Sequence, residues 1–310
     1  MKKKYSWRII VFLNLFFLVI FSCASKGAAR AEEYFSIGMA YFELGKFSEA
    51  EQWLNRAMAA DKTLIASEYN LGRIAYETGR YGEAAGHFEN ILKRDPENVM
   101  ALKAAAFSRI KNGDLQMAEA LYDRVLLLIP ESSDDGFNYA LVLYGLGKYE
   151  KSEETLKKYP FALEENSSSL LLLARSQKAQ NKIESADTYA KWLDLGASSP
   201  QGLYEYAQVL ESADLYAKAL EQYRAAIDAL RQDTDELKKS ELYFKAARLI
   251  LIADPENSEG ITELNASIKE GFKDINAIED LLLDQRITAE NMEEIKRIIE
   301  SIKAESTSSP

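Results

Sequence analysis

One spacing restricts this chain more than any other feature. From Ala50 onward a small residue returns at Ala84, Ala118, Ser152, Ala186 and Ala219, in steps of 34, 34, 34, 34 and 33 residues. Twelve positions before each stands another small residue: Gly38, Gly72, Ala106, Ala140, Ala174 and Ala207. Residues this small let two helices approach closely, so the paired columns predict one helix crossing per period. Five positions before each anchor stand Gly45, Gly79, Gly113, Gly147, Asn181 and Asp214. Glycine, then Asn and Asp, best tolerate the left-handed backbone that ends a helix, so this column predicts a turn. Bulky residues fill the complementary places. They are Ile37, Leu71, Tyr139, Leu173 and Tyr206 in the first segment of a period, and Leu54, Phe88, Tyr122, Leu156 and Tyr223 in the second. Pro96 and Pro130 fall where a second helix should stop.

A helix–turn–helix unit of about 34 residues resembles the tetratricopeptide repeat family. Six units are expected over 31–233, at 31–64, 65–98, 99–132, 133–166, 167–199 and 200–233, the fifth being the most divergent. The resemblance implies an all-α, right-handed superhelical solenoid in which each hairpin buries its faces only against its neighbours. Past residue 233 the register slips. Residues 234–272 read as a divergent seventh hairpin, with its break at Asp254–Pro255 and Ser258 as the N-cap of its second helix. Residues 273–305 read as C-terminal capping helices, with Ile295, Ile298, Ile299 and Ile302 as the apolar stripe of the last one. Residues 306–310 read as a frayed tail.

The N-terminus is a separate object. Lys2, Lys3, Lys4 and Arg8 precede an apolar run from Ile9 to Phe21, interrupted only by Asn14. As a helix this run spans about 20 Å, short of the roughly 30 Å hydrocarbon layer. A signal peptide over 1–22 fits better than a spanning helix. The run ends in "VIFSCAS", and Cys23 is the only cysteine in the chain. It resembles the signal of bacterial lipoproteins, with aliphatic Ile20 three before the cysteine and small Ser22 one before. Phe21 is bulkier than that pattern usually holds, as in the relaxed boxes of spirochaetes. The resemblance implies that Cys23 carries acyl chains such as palmitate, that residues 23–30 form a short tether, and that the solenoid sits close to a membrane. Ala24 stands where enteric lipoproteins retained at the inner membrane carry Asp, so the analogy leans to the periplasm-facing outer membrane. A single cysteine excludes an intrachain disulfide.

The chain has a formal charge of −11 and a pI near 4.9. This argues against general nucleic-acid binding, which needs a basic face to displace counterions from phosphate. His87 is the only histidine and is expected on a helix surface or between helices. One His and one Cys cannot form a zinc site or a Cys–His pair. The acid pairs Asp134–Asp135 and Glu153–Glu154 are expected at helix starts or on solvated faces. No catalytic constellation, metal site or cofactor is expected.

The resemblance places a partner groove on the first helix of each unit, at its fifth, ninth and twelfth places among others. In units one to four these are Phe35, Met39 and Phe42; Tyr69, Arg73 and Tyr76; Lys103, Phe107 and Ile110; Phe137, Leu141 and Tyr144. In units five and six they include Arg175 and Tyr204. No Asn occupies a ninth place, which argues against the carboxylate clamp of the chaperone-binding branch. Units one to four instead present an aromatic and aliphatic wall, with Arg73 and Lys103 as isolated cations. Such a wall suits a helix or extended peptide of another envelope protein. The function expected is a membrane-anchored, non-catalytic interaction scaffold. The alternative is a ligand-binding component associated with a periplasmic transporter, its lumen holding a small apolar molecule or peptide.

Overall fold

The computed structural model describes residues 27–234 and 237–308. Among these residues the chain is all-α, with no strand. It forms two compact units, one up to Lys148 and one from Tyr149.

The first unit contains α1 (27–43), α2 (Phe47–Ala60), α3 (Ile65–Glu77), α4 (Tyr81–Leu92), α5 (Val99–Lys111), α6 (Leu115–Leu128) and α7 (Ser133–Gly145). From α2 onward each helix packs on the next. The small columns lie at the crossings. A Cβ added to Gly38 would sit 2.9 Å from Leu54 Cγ, and one added to Gly72 would sit 2.8 Å from the Phe88 ring. Ala50, Ala84, Ala106 and Ala118 are wholly buried, as is Leu54. At these two crossings a missing side chain on one helix interlocks with a large one on the other.

The turns share one geometry. Gly45, Gly79, Gly113 and Gly147 have φ of 70°, 77°, 84° and 73°, and in the second unit Asn181 and Asp214 have 55° and 58°. At Gly79 the amide donates to Tyr76 O at 3.0 Å, and the next amide, of Arg80, reaches back to Ala75 O at 2.8 Å. That pair of bonds satisfies carbonyls left free at the end of a helix. The same two bonds recur at Gly45, Gly113, Gly147, Asn181 and Asp214.

The first helix departs from the expected tether. Residues 27–30 are helical and form the first turn of α1. Two of them, Ala28 and Ala29, favour helix, and Ala31 just beyond is buried.

The second unit contains α8 (Tyr149–Lys157), α9 (Pro160–Glu165), α10 (Ser167–Ala179), α11 (Glu184–Asp194), α12 (Pro200–Ser212), α13 (Tyr216–Ala229), α14 (Lys239–Ala253), α15 (Glu259–Lys269), α16 (Ile275–Leu281) and α17 (Ala289–Ser308). Here α8 has only 9 residues, where α6 and α13 each have 14. Pro160 is the cause. It lacks an amide hydrogen and disfavours helical backbone at the preceding residue. Tyr159 accordingly lies at φ −118°, ψ 67°, and the chain restarts as the six-residue α9.

The last four helices close the unit around Phe244, Leu251, Leu264, Ile278, Leu281, Ile295 and Ile299. Phe244 and Phe272 stack at 4.3 Å with planes 11° apart. Ser258 stands at the N-cap position of α15, but its side chain makes no capping bond there. Asn257 Oδ1 takes that role, accepting from Glu259 N at 2.9 Å. Residues 306–308, expected to fray, continue α17.

The acid pairs are not solvated as pairs. Asp135 is 1% exposed and Glu153 3%, while Asp134 and Glu154 face solvent. Successive helical residues point about 100° apart, so one member of each pair turns inward. Glu153 is then caged by four donors. Lys157 Nζ and Gln177 Nε2 approach Oε1 at 2.6 and 3.3 Å, and Gln180 Nε2 and Lys182 Nζ both approach Oε2 at 2.8 Å. Burial pushes this carboxyl's pKa up, but the four hydrogen bonds together outweigh burial and hold it at about 2.

Gly79→Ala should destabilise the protein by roughly 1–2 kcal/mol, the cost of a side chain in left-handed backbone. Gly79→Asn should cost less than half as much, since Asn181 occupies the same turn place; thermal unfolding of both variants checks the order. Glu153→Gln should cost about 1–3 kcal/mol at pH 7, because it leaves two lysines without their buried partner. A depressed pKa contributes stability above the unfolded value, near 4.5, that is lost as pH falls toward 2. The gap between wild type and Glu153→Gln should therefore shrink between pH 4.5 and 2 in urea unfolding.

Candidate interaction surface

Within the first unit the candidate residues lie on α1, α3, α5 and α7, each set at spacing i, i+4, i+7. Residues so spaced share one helix face. None of the twelve candidates on these four helices is buried. Phe107 and Leu141 are 44% and 46% exposed, Arg73 and Lys103 are exposed, and Phe35, Met39, Phe42, Tyr69, Tyr76, Ile110, Phe137 and Tyr144 are half-buried.

Between α1 and α3, and between α3 and α5, the twelfth place of one helix touches the ninth place of the next. The Arg73 guanidinium lies 4.4 Å from the centroid of the Phe42 ring. The Tyr76 and Phe107 ring centroids are 6.4 Å apart. These contacts tie the wall together while leaving ring surface open. Several rings also reach into the stack. Phe42 packs on Phe47 at 5.6 Å, Tyr69 on Phe88 at 5.2 Å, and Tyr76 edge-on to Tyr81 at 5.3 Å. Burial first, then the neighbouring Tyr81 and Glu77, raises the Tyr76 pKa, so its hydroxyl stays neutral.

The two cations are not isolated. Arg73 Nη1 donates to Asn70 Oδ1 at 3.0 Å besides facing Phe42. Lys103 Nζ donates to buried Asp135 Oδ2 at 2.9 Å, and that oxygen also accepts from Ser132 Oγ at 2.6 Å. Lys103 thus binds α5 to α7. The sequence could not show this pairing, because it depends on how deeply Asp135 is buried.

In the second unit the same places carry charge, and the charges are paired. Arg175 Nε donates to Glu205 Oε2 at 2.7 Å. Lys178 Nζ donates to Gln208 Oε1 at 2.6 Å, again twelfth place to ninth. Burial lowers the Lys178 pKa, opposed by Glu205 and aided by Arg175. Tyr204 is half-buried beside Tyr223, ring centroids 6.0 Å apart. Glu211, at a twelfth place, forms an ion pair with Arg248 of α14. A strict 34-residue count does not lead to Arg248. The usable signal is buried Ala247 in α14, which takes the place of Ala207 and makes Arg248 the ninth residue of its helix face.

His87 bridges helices. Its Nδ1 lies 3.0 Å from Glu68 Oε1, which also accepts from Asn90 Nδ2 at 3.0 Å. Among the described residues no group of three or more His, Cys, Asp and Glu could hold a metal ion, and no helix is long and apolar enough to cross a membrane. Cys23 and the signal-like run lie outside the described residues.

Comparisons with known proteins agree with this geometry. A family model described as tetratricopeptide repeat matches residues 69–136, and a second so described matches 31–64. A model for subunit 3 of the anaphase-promoting complex, or cyclosome, matches 111–193. An uncharacterised lipoprotein of Treponema pallidum (strain Nichols) is 24% identical over 170 residues, which cover 55% of this chain and 87% of that protein. The crystal structure of a tetratricopeptide repeat protein from Parabacteroides merdae superposes with a TM-score of 0.57 at 17% identity, over 86% of this chain and 99% of the other. MamA does so with a TM-score of 0.51 at 17% identity, over 54% and 91%. YrrB, described as a TPR protein with an unusual peptide-binding site, gives 0.50 at 15% identity, over 57% and 91%. At these identities the structural likeness speaks for fold alone. Joined to the family matches, the interlocking small columns and the shared left-handed turns, it supports reading this chain as a tetratricopeptide repeat protein, with the family models matching residues 31–64 and 69–136.

Proposed function

We propose that the protein is a non-catalytic scaffold, anchored to a membrane of the bacterial envelope, that holds a segment of another envelope protein against the α1, α3, α5 and α7 face of its first unit. The observation that carries this reading is the run of incompletely buried aromatic and aliphatic side chains on four successive first helices. Phe107 and Leu141 keep nearly half their surface in water although larger rings nearby are buried. Covering the exposed half of each would contribute about 1 kcal/mol, taking half of a full side-chain burial. Arg73 and the tyrosines add polar edges to that apolar wall, the mixture that anchors protein interfaces. The described peptide-binding site of the YrrB relative supports the same mode of use.

The anchor rests on Cys23 behind its apolar run, and the lipoprotein relative from Treponema pallidum supports it. We assign the periplasm-facing outer membrane as its location, on the residue after the cysteine, Ala24.

Two experiments test these assignments. A photo-crosslinking residue at Leu141 should trap one envelope protein in intact cells. Tyr76→Ala combined with Phe107→Ala should cut that adduct at least tenfold, with the thermal midpoint of the fold kept; unchanged trapping would remove this face from the proposal. Separately, Cys23→Ser should abolish incorporation of labelled palmitate and move the protein out of the detergent phase on Triton X-114 partition.

A further inference from the structure

The break at Pro160 has an effect on packing that the repeat pattern does not contain. In α2, α4, α6 and α13 the residue seven after the small anchor is buried: Ala57, Ile91, Val125 and Ala226. In the interrupted helix that place belongs to Tyr159, which stands outside both α8 and α9 at the cap between them. A cleft of about 470 Å3 lies beside the break, bounded by α9, α10 and α11. Its apolar lining is Pro160, Leu163, Leu170, Leu173 and Leu195. The Thr188 hydroxyl within it is already engaged with Gln177 Oε1 at 2.7 Å. The interior therefore asks no hydrogen bond of an occupant and favours an apolar one.

The surroundings narrow the choice. Phe161, next along α9 to the lining Pro160, is 79% exposed, and the lining residue Leu195 at the end of α11 is 42% exposed. Large apolar residues left in water around a cleft mark a contact wider than a small molecule would cover. The charged lining residues are Glu164, Lys191 and Asp194. On α11, Asp187 and Asp194 flank Lys191 by about one turn on either side, so the lysine's charge is more than offset. The rim is acidic, in a chain of net charge −11. All three walls are helices, which have no unpaired backbone edge to take an extended strand. Affinity must then come from side chains, as when a helix lies in a groove.

We propose that this cleft is a docking site, separate from the first-unit face, for a basic amphipathic helix of a partner protein. Leu- or Phe-sized side chains of the partner enter between α9 and α10, its apolar face covers Phe161 and Leu195, and its Lys or Arg residues face Glu164 and Asp194.

The test uses the full chain and two designed 18-residue helical peptides, one built of Leu and Lys, the other with every Lys replaced by Glu. Binding is read by fluorescence anisotropy at physiological salt. The Leu/Lys peptide should bind at least tenfold more tightly than the Leu/Glu peptide. Phe161→Ser and Leu195→Glu, both at exposed positions, should each weaken it fivefold or more. Glu164→Lys with Asp194→Lys should reverse the preference between the peptides, and Phe107→Ala should leave it unchanged. Equal affinity for both peptides, no binding of either, or binding that survives Phe161→Ser and fails in Phe107→Ala would each overturn the proposal. So would a small apolar probe, 1-anilinonaphthalene-8-sulfonate, saturating the cleft while neither peptide competes with it.

Discussion

The structure depends on one recurring contact, a large side chain seated where the opposing helix has almost none. Leu54 fills the space over Gly38, and Phe88 fills the space over Gly72, each so close that even a methyl group would intrude. This contact sets the distance between the two helices of a hairpin. The left-handed turn sets their direction. Once both are in place, the residues four and seven positions along a first helix are committed to a common face, whatever their chemistry. The fold thus makes a surface without specifying what it recognises.

The two units use that surface differently. On α1, α3, α5 and α7 it holds rings and aliphatic chains that remain partly wet, joined by an Arg73–Phe42 contact and a Tyr76–Phe107 contact. On α10, α12 and α14 the equivalent rungs are Lys178–Gln208 and Glu211–Arg248, with Arg175–Glu205 beside them. A charge that already has a partner gains little from a second one. An aromatic face half in water still has surface to bury. This asymmetry is the physical reason for assigning partner capture to the first unit.

The shortened helix α8 shows how a solenoid accommodates a fault. Its remaining turns are fixed by a buried carboxylate with four donors, beyond what apolar packing supplies. Glu153 receives bonds from α8 itself, from α10 and from the turn that follows α10. Such a network holds its members in one arrangement, because releasing any of them strands a buried charge. With α8 secured in this way, Pro160 can interrupt the helix beside a cleft lined by α9, α10 and α11.

The sequence by itself determined the period, the turn and the class of fold. Those follow from local requirements: small residues at crossings, permissive residues at φ near +60 to +80°, and bulky residues between them, each visible one position at a time. It also located the face that holds Phe42 and Tyr76, because a helical period is a local property. Only the tertiary structure decided what those residues touch. Asp135 and Glu153 each read as half of an acidic pair, and their burial depends on which helix packs above them. Lys103 read as a free cation until Asp135 was placed 2.9 Å away, 32 residues along the chain. Arg248 fell out of register because its hairpin resets the count at Ala247. The cleft beside Pro160 was equally hidden, since a proline predicts a break in one helix and says nothing of how its neighbours pack around the gap. Local rules act within a few residues of backbone, whereas pairing and cavities arise between helices some thirty residues apart.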